Sequence, residues 1–387
     1  MVDAVRTPFG KRNGGFAGAH SVELLAKTLQ GLLARTGVDP DEVTQVVAGC
    51  VLQAGMQATN VGRWAWLTAG FPVATAAVTV DAQCGSSQQA STIATSMIAS
   101  GQADVAVACG VELMSRVPMG STVPKESPLG RPVTKAYWTH HEYTSQFEGA
   151  ERVAEKWAIG RNDCDVFGKR SQDAAARAQA KGRFDSQLIP VEVPKIGPDG
   201  APIDEVITIT KDEGIRPTTL EGLAGLKPTG RADGVHTAGT SSQISDGASA
   251  VLLMSRDKAS ALGLNPMATV VDTCFVGTDP VLMLTGPIEA TKKLFHDNKV
   301  GIDQIDVTEI NEAFASVVLA WEQELQPDIA TVNPNGGAIA LGHPLGATGC
   351  ALLAKAVHEL VRIDGEHALV TMCCGGGLGT GTLLRRG

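Results

Sequence analysis

Two stretches of 20 residues, 84–103 and 335–354, contain no Asp, Glu, Lys or Arg, and they constrain the fold more than any other feature. Both follow turn-like residues and are long enough for helices. Their residues are too small and too polar for a membrane span. Each predicted helix must therefore be covered on nearly all sides by protein.

The surroundings of the two stretches are also similar. Residues 37–46 align without gaps on residues 301–310, and in both copies a helix precedes and a strand follows. The same order of elements on both sides indicates an internal duplication. Each half alternates helices and strands, as an α/β sheet with crossovers does. We therefore predict an α/β fold of five layers, αβαβα, with the two uncharged helices packed together between two sheets.

The segment between the halves has a different character. It begins with several prolines, has a charged helical pattern over 149–182, and carries strand patterns at 191–193 and 206–209 around a Pro198-Asp199-Gly200 turn. These features predict an inserted lobe with a β-hairpin. The predicted division is a first half of residues 1–113 plus 244–266, a lobe of residues 114–243, and a second half of residues 267–387. Whether the first strand is truncated at Met1 is left open.

Composition disfavours several classes of function. The net charge of −9 at pH 7 is spread along the chain, so no basic surface for nucleic acid is expected. Neither a signal peptide nor an uncharged apolar run of membrane-spanning length is visible. The eight cysteines lack the spacing of a zinc site. We expect reduced thiols, a cytoplasmic location, and neither nucleic acid nor membrane as a partner.

Cys84 lies where a strand pattern meets the first uncharged helix. The amino end of a helix favours a thiolate, so we expect a lowered pKa and a nucleophilic Cys84. The alternative is a buried, unreactive cysteine. From this stretch alone the two interpretations are equally favoured.

Three other strand ends carry candidate residues. His343 stands among residues that cannot ionise, and burial would keep its imidazole neutral and able to accept a thiol proton; a core histidine is the alternative.

Three glycines follow Cys373-Cys374, which lets backbone N–H groups approach a bound oxygen. A dinucleotide-type phosphate loop is disfavoured there because no acidic residue follows at suitable spacing. Asn311 ends the second copy of the duplicated strand where the first copy has Val47-Ala48-Gly49, and a helix cap is the alternative.

Taken together, these residues resemble the four active-site motifs of the thiolases in order and spacing. The motifs are Gln83-Cys84-Gly85-Ser86-Ser87, Asn311-Glu312-Ala313-Phe314, Gly342-His343-Pro344 and Cys373-Cys374-Gly375-Gly376-Gly377. The resemblance covers essentially the whole chain and implies the five-layer fold of that family. It implies that Cys84 carries the acyl group, that His343 activates it, and that Cys373 exchanges a proton with C2 of acetyl-CoA.

The same resemblance implies further contacts. Asn311 would hold a water that, with His343, binds the thioester oxygen of the enolate, and the N–H groups of Cys84 and Gly375 would form a second oxyanion site. Ser242 is expected near the pantetheine of coenzyme A, and Ala313 and Phe314 near the substrate. Arg216 is expected near the nucleotide, with a solvated surface arginine as the equal alternative. The resemblance further implies CoA as a substrate, no cofactor, no metal, and a homodimer or homotetramer.

Two departures from the family bear on the substrate. Ser145-Gln146-Phe147 stands where acetoacetyl-forming thiolases commonly have a His-Met pair, and Gln88-Gln89 replaces a more usual Gly-Leu. Together with residues 283–287, they are similar to actinobacterial thiolases that act on bulky acyl chains such as steroid side chains. We therefore predict a degradative 3-ketoacyl-CoA thiolase.

Three alternatives remain to this prediction. The first is acetoacetyl-CoA formation by a biosynthetic thiolase. The second is a decarboxylating ketoacyl synthase, which Cys373 disfavours because such synthases lack the second cysteine. The third, of a different class, is a non-catalytic CoA or lipid carrier on the same scaffold.

Overall fold

The computed structural model describes residues 1–123, 126, 130–197 and 201–387. Its strands are β1 (Asp3–Arg6), β2 (Gly10–Lys11), β3 (Gln45–Gly49), β4 (Ala76–Val80), β5 (Val105–Leu113), β6 (Val191–Ile196), β7 (Pro202–Ile209), β8 (Ser245–Met254), β9 (Ala268–Gly277), β10 (Val307–Ile310), β11 (His367–Cys374) and β12 (Leu378–Arg386). Its helices are α1 (Ser21–Thr36), α2 (Val61–Thr68), α3 (Ser86–Ala99), α4 (Gln146–Lys156), α5 (Arg161–Ala180), α6 (Leu220–Ala224), α7 (Arg256–Ala261), α8 (Gly286–Asn298), α9 (Ala315–Leu325), α10 (Ala338–Leu341) and α11 (Leu345–Ile363).

Two sheets are built on the same plan. The first has the order β1-β8-β5-β3-β4, with β2 also paired to β8, and the second has the order β9-β12-β11-β10. In each sheet two neighbouring strands are parallel (β3 with β5, β10 with β11), and the next two pairings are antiparallel. A single parallel bridge between Thr308 and Val332 stands where β4 stands in the first sheet. Equal strand order and direction confirm the predicted internal duplication.

Strand pairing shows which residues correspond in the two copies. Gln45 is the first residue of β3 and pairs with Ala106, the second residue of β5. Val307 is likewise the first residue of β10 and pairs with Ala368, the second residue of β11. Gln45 and Val307 are therefore equivalent positions.

This equivalence corrects the alignment made from the sequence. The ungapped alignment of 37–46 on 301–310 sets Gln45 opposite Glu309, which is two residues away from the structural match. Asn311 consequently corresponds to Gly49 and not to Val47. Ten similar residues were enough to reveal the repeat, but hydrogen-bond register is set by strand pairing, which one segment alone does not contain.

The two uncharged segments form the central layer, as predicted. Helices α3 and α11 bury Ala90 and Leu353 in one cluster with residues of both sheets, such as Ala108 and Val370. At Gly349 on α11 a side chain would overlap the backbone of α3, so glycine allows the two helices to touch. Helices α1 and α2 cover the outer face of the first sheet, and α8 and α9 that of the second. The five-layer αβαβα prediction is confirmed.

Most predicted elements are present, with shifted ends. The apolar spacing of residues 21–35 predicts a helix that begins at a Ser21 cap and ends at Gly37. Helix α1 lies there and ends at Gly37 (φ 67°), but its cap is the His20 side chain. The sequence also predicts strands at 43–47 and 104–109. The first lies at 45–49, and the second continues to Leu113 because β8 pairs with all of it. Strand ends thus depend on the neighbouring strand.

The inserted segment packs on both halves: Val191 of its hairpin joins the outer cluster of the first sheet, and Phe167 of α5 joins that of the second. Its predicted hairpin is present as β6 and β7, while the predicted turn at 198–200 lies outside the described residues. The helical pattern over 149–182 is divided into α4 and α5 near Ala158, which has a φ of 52°. A buried ion pair between Arg6 and Asp212 (2.6 Å) joins the segment to β1. The predicted domain boundaries stay a prediction.

Candidate active site

Cys84 lies in a tight turn between β4 and α3. Gln83, directly before it, adopts a left-handed conformation with φ 52°. Two side chains support this turn: Asp81 accepts the backbone N–H of Gln83 at 2.7 Å, and Ser86 accepts that of Ala82 at 3.0 Å. The strand-to-helix position predicted for Cys84 is therefore confirmed, and the turn holds it at the amino end of a helix.

The environment of the Cys84 thiol differs from the expectation. Burial raises its pKa to about 11, although the backbone N–H groups of Gly375 and of Cys84 itself donate to the sulfur and lower it in part. The predicted lowering of the pKa is wrong, because loss of solvent outweighs the hydrogen bonds. The thiol is protonated at neutral pH, so its attack on a substrate requires a base.

A second thiol lies beside Cys84 at the end of β11. Burial raises the pKa of Cys373 well above its ordinary value, and the charges of Cys84 and Cys374 raise it further. The Gly375 N–H that donates to the Cys84 sulfur follows Cys373 by two residues, so the end of β11 lies against the turn of Cys84. The chain then turns through Gly376 and Gly377, whose φ values of 83° and 76° suit glycine.

His343 and Asn311 form a buried pair. The Asn311 side-chain nitrogen lies 3.4 Å from Nε2 of His343, and Nδ1 of His343 lies 2.7 Å from the hydroxyl of Thr348. Since that hydroxyl donates to the Pro344 carbonyl at 2.9 Å, it accepts the hydrogen of Nδ1. Nε2 therefore carries the lone pair. Burial lowers the pKa of His343 to about 4, so the ring is neutral, as predicted.

The strand pairing of the second half joins these groups into one site. Asn311 directly follows β10, and its backbone N–H donates to the carbonyl of Thr371 at 3.1 Å, two residues before Cys373. The carboxyl ends of parallel β10 and β11 thus lie at one edge of the sheet, where ligands bind in open α/β sheets. The side-chain oxygen of Asn311 is buried and has no hydrogen-bond partner among the described residues.

Three of the four predicted substrate contacts, Ser242, Ala313 and Phe314, lie on one turn and the strand end beside it. The N–H of Ser242 donates to the carbonyl of Ala313 at 2.9 Å, and the preceding residue bridges Phe314. Arg216 is exposed and donates from its guanidinium to the carbonyl of Ala238 at 3.3 Å, so it lies beside the same turn. Their contact with coenzyme A stays a prediction.

The predicted link between Gln88 and the acyl substrate does not fit the position of the Gln88 side chain. It is fully buried, its amide nitrogen donates to the Val370 carbonyl and the Thr382 hydroxyl at 2.9 Å each, and its oxygen accepts from Thr380 at 2.6 Å. Gln88 therefore connects α3 to the second sheet. Its identity bears on packing between the halves, and it carries no information about the acyl chain.

Two buried carboxylates near the site, Glu312 and Glu112, are not among the residues predicted from the sequence motifs to act there. Glu312, inside the Asn311 motif, accepts hydrogen bonds from Ser171 (2.6 Å), Asn333 (2.9 Å) and the N–H of Ile339 (3.1 Å). Glu112 is the only acid in β5. Glu112 could have been identified from the sequence as the single charged residue in a strand that is otherwise uncharged.

Comparison with known proteins agrees with this geometry. Residues 1–257 match the family model of the thiolase N-terminal domain, and residues 264–386 match that of the thiolase C-terminal domain. The chain belongs to the thiolase family, and the protein is an acyltransferase of that family.

Individual relatives cover the whole chain. The steroid 3-ketoacyl-CoA thiolase FadA6 of Mycobacterium tuberculosis is 46% identical over 100% of this chain and 93% of its own length. An acetyl-CoA acetyltransferase of Chromobacterium violaceum is 39% identical over 100% of this chain and 99% of its own. Among solved structures, the Bacillus anthracis acetyl-CoA acetyltransferase matches with a TM-score of 0.89 at 36% identity, covering 100% of this chain and 98% of that one.

Two other kinds of feature are absent from the described ranges. No helix there is long and apolar enough to cross a membrane. No group of three or more His, Cys, Asp or Glu side chains in that part of the chain is arranged to hold a metal ion.

Proposed function

We propose that this thiolase cleaves 3-ketoacyl-CoA with CoA, giving acetyl-CoA and a shortened acyl-CoA through an acyl group on Cys84. The observation that carries the proposal is the convergence of two backbone N–H groups on the Cys84 sulfur, one of them from Gly375, which follows the second thiol, Cys373, by two residues. The neutral pair of His343 and Asn311 is held at the adjoining strand end. This arrangement supports both an acyl-transfer step and a proton transfer to carbon.

In the first half-reaction, Nε2 of His343 takes the proton of the Cys84 thiol, and the sulfur attacks the 3-keto carbon. The N–H groups of Cys84 and Gly375 donate hydrogen bonds to the negative oxygen that forms. The bond between C2 and C3 then breaks, and the electron pair stays on the acetyl-CoA fragment as an enolate. Cys373 donates its thiol proton to C2 of that enolate, whose oxygen is bound by protonated His343 and by a water held by Asn311.

In the second half-reaction, the Cys373 thiolate takes the thiol proton of an incoming CoA. The CoA sulfur attacks the acyl group on Cys84, and the Cys84 sulfur leaves and recovers its proton from His343. Both cysteines and the histidine are thereby returned to their starting states. The high pKa values of both cysteines suit this cycle, because each thiol must hold its proton until the substrate is in place.

Mass spectrometry of the intact protein tests the proposed intermediate. Incubation with a 3-ketoacyl-CoA in the absence of free CoA should release one acetyl-CoA per chain and leave the shortened acyl group on the peptide that contains Cys84. The Cys84→Ala variant should form no adduct and no product, whereas Cys274→Ala, which changes a buried thiol in the outer cluster of the second sheet, should behave as the parent. Normal turnover by Cys84→Ala would refute the proposal. A non-catalytic carrier would show neither an adduct nor selective labelling of Cys84 by iodoacetamide.

For the substrate we propose a bulky acyl chain such as a steroid side chain. The 46% identity to a relative named a steroid 3-ketoacyl-CoA thiolase supports this choice. Phe147, at the position of the family's His-Met pair, is 37% exposed and packs edge-on against Phe314 with ring centres 5.6 Å apart. Higher kcat/KM on steroidal than on short-chain 3-ketoacyl-CoA is expected. The opposite order would favour acetoacetyl-CoA formation, the activity in the name of the Chromobacterium relative.

We also propose a homodimer or homotetramer that works in the cytoplasm without a cofactor. Strand β4 forms an uncharged edge of the first sheet, and its Val78 is 43% exposed, which supports pairing with a second chain. All eight cysteines are free thiols, in keeping with a reducing compartment. Light scattering should report two or four chains, and activity should survive dialysis against a metal chelator.

A further inference from the structure

We propose that Glu112 is a positioning residue: it binds the start of α11 to the loop after β3 and so fixes His343 relative to Cys84. The proposal rests on the roles proposed above for those two residues. Glu112 itself contacts neither substrate nor reacting atoms in the proposed mechanism. It acts through the backbone of the loop that carries His343.

The carboxylate of Glu112 is fully buried and is surrounded by donors. One oxygen accepts the N–H groups of Val51 at 3.0 Å and Gly346 at 2.9 Å. The other accepts the N–H of Leu52 at 3.1 Å and the side-chain amide of Gln57 at 2.5 Å. Every one of these partners is an N–H donor. An ionised carboxylate accepts hydrogen bonds from such donors more strongly than a protonated carboxyl group does.

The bond to Gly346 gives α11 a cap that its own sequence lacks. The first turn of a helix leaves several N–H groups without partners, and no side chain caps the Pro344 end of α11. Glu112, from the first half of the duplicated fold, accepts one of these N–H groups and adds a negative charge at the positive end of the helix. His343 directly precedes this capped turn, so the position of its ring depends on the Glu112 contact.

The same carboxylate also has an electrostatic effect on the proposed nucleophile. The charges of Glu112 and Asp81 both raise the pKa of the Cys84 thiol. Cys373 and Cys374 on β11 are the other titratable groups that face this thiol, together with His343 in the proposed mechanism. Removal of the Glu112 charge therefore has an electrostatic signature that a loss of packing alone does not produce.

Two substitutions separate the contact from the charge. Glu112→Gln keeps the shape but presents an NH₂ group to a ring of N–H donors, and it removes the charge. Glu112→Asp keeps the charge but is one methylene too short to reach both loops. Asp3→Asn is the matched control, because Asp3 is a buried carboxylate paired with Arg35 at the opposite end of the same sheet.

The experiment measures kcat and KM with a 3-ketoacyl-CoA, and the rate at which iodoacetamide alkylates the Cys84 peptide between pH 7 and pH 12. Both Glu112 variants should lose about 10-fold or more in kcat, because a small misplacement of a catalytic group has effects of this size, with a smaller change in KM. The alkylation midpoint should move to lower pH in Glu112→Gln and stay in place in Glu112→Asp. Asp3→Asn should match the parent in all three quantities.

Each rate is divided by the number of Cys84 residues that can be acylated, which is measured from the mass adduct. Unfolded protein therefore does not contribute to the measured rate. A kcat within twofold of the parent in both variants overturns the proposal, as does an unmoved alkylation midpoint in Glu112→Gln. If Glu112→Gln does not fold, the same two measurements on Glu112→Asp decide: a kcat loss with an unmoved midpoint supports the positioning role, and any other result overturns it. Full activity of Cys84→Ala would instead refute the proposed function, and so the two failures are distinguishable.

Discussion

The side-chain nitrogen of Asn311 lies 3.4 Å from Nε2 of His343, and these residues come from different motifs that are 32 positions apart in the chain. Asn311 follows strand β10, while His343 precedes helix α11. The pair is fully enclosed, and the Asn311 oxygen has no hydrogen-bond partner among the described residues. One amide is thus directed both at the base and at the space where the proposed water binds.

Asn311→Ala should lower kcat by about 100-fold, because loss of one group that stabilises a transition-state oxyanion has effects of that order. KM should change much less, since the contact forms with the enolate and not with the bound ketone. Steady-state kinetics on a 3-ketoacyl-CoA would measure both. Asn298→Ala is the control, because Asn298 ends helix α8 on the outer layer. A change in KM alone would contradict the proposed role.

The neutral state of His343 should make the fold sensitive to acid. Burial lowers the pKa of His343 from 6.5 to about 4, so between these values the unfolded chain binds a proton that the folded chain does not. Stability is therefore complete above pH 6.5 and falls as the pH drops toward 4, by up to about 3 kcal/mol from this group. Urea unfolding of the parent and of His343→Gln at pH 7 and pH 5 measures it. The parent should lose more stability than the variant, and equal losses would contradict the prediction.

Gly349→Ala should destabilise the central layer. A Cβ at Gly349 would overlap the backbone N and Cα of Gln88 on α3, and backbone cannot move aside as a flexible side chain can. We expect a loss of about 2 kcal/mol or more in the free energy of unfolding. Gly277→Ala is the matched control, since nothing lies within 4 Å of a Cβ there. Chemical denaturation would show the difference, and equal stability of the two variants would argue against close contact between α3 and α11.

Gln88→Leu should weaken the contact between the halves and leave substrate preference unchanged. The substitution removes three hydrogen bonds and leaves a buried carbonyl and two hydroxyls without those partners, at about 1–3 kcal/mol for each group left unsatisfied. Gln89→Leu serves as the control because the buried oxygen of Gln89 has no hydrogen-bond partner within the described part of the chain. Thermal unfolding and the ratio of kcat/KM for steroidal and short acyl chains would be measured. A changed ratio of kcat/KM values would indicate that Gln88 does affect the binding of the acyl chain.

Much of the fold could be predicted from the sequence, for reasons that particular residues show. The helical segments 84–103 and 335–354 carry no charged side chains, so neither helix can lie exposed on the surface. Because the two segments occupy equivalent places in a repeated pattern, the simplest arrangement packs them against each other in one central layer. The turn at Cys84 was visible because a branched strand pattern meets a run of small residues. The ends of β3 and β5 were not predictable to the residue, because hydrogen bonds from neighbouring strands extend or shorten them.

By itself the sequence determined the duplication, the order of the layers and the four motifs, because these depend on residue types and spacing along one chain. Only the tertiary structure decided the register between the copies, the place of Gln88, and the contact of Glu112 with Gly346. It also decided the direction of the Cys84 pKa: the helix end favours the thiolate, but enclosure by both halves removes the water that would solvate it, and the pKa rises to about 11. Solvation depends on every atom that surrounds a group in space, and no local stretch of sequence contains that information.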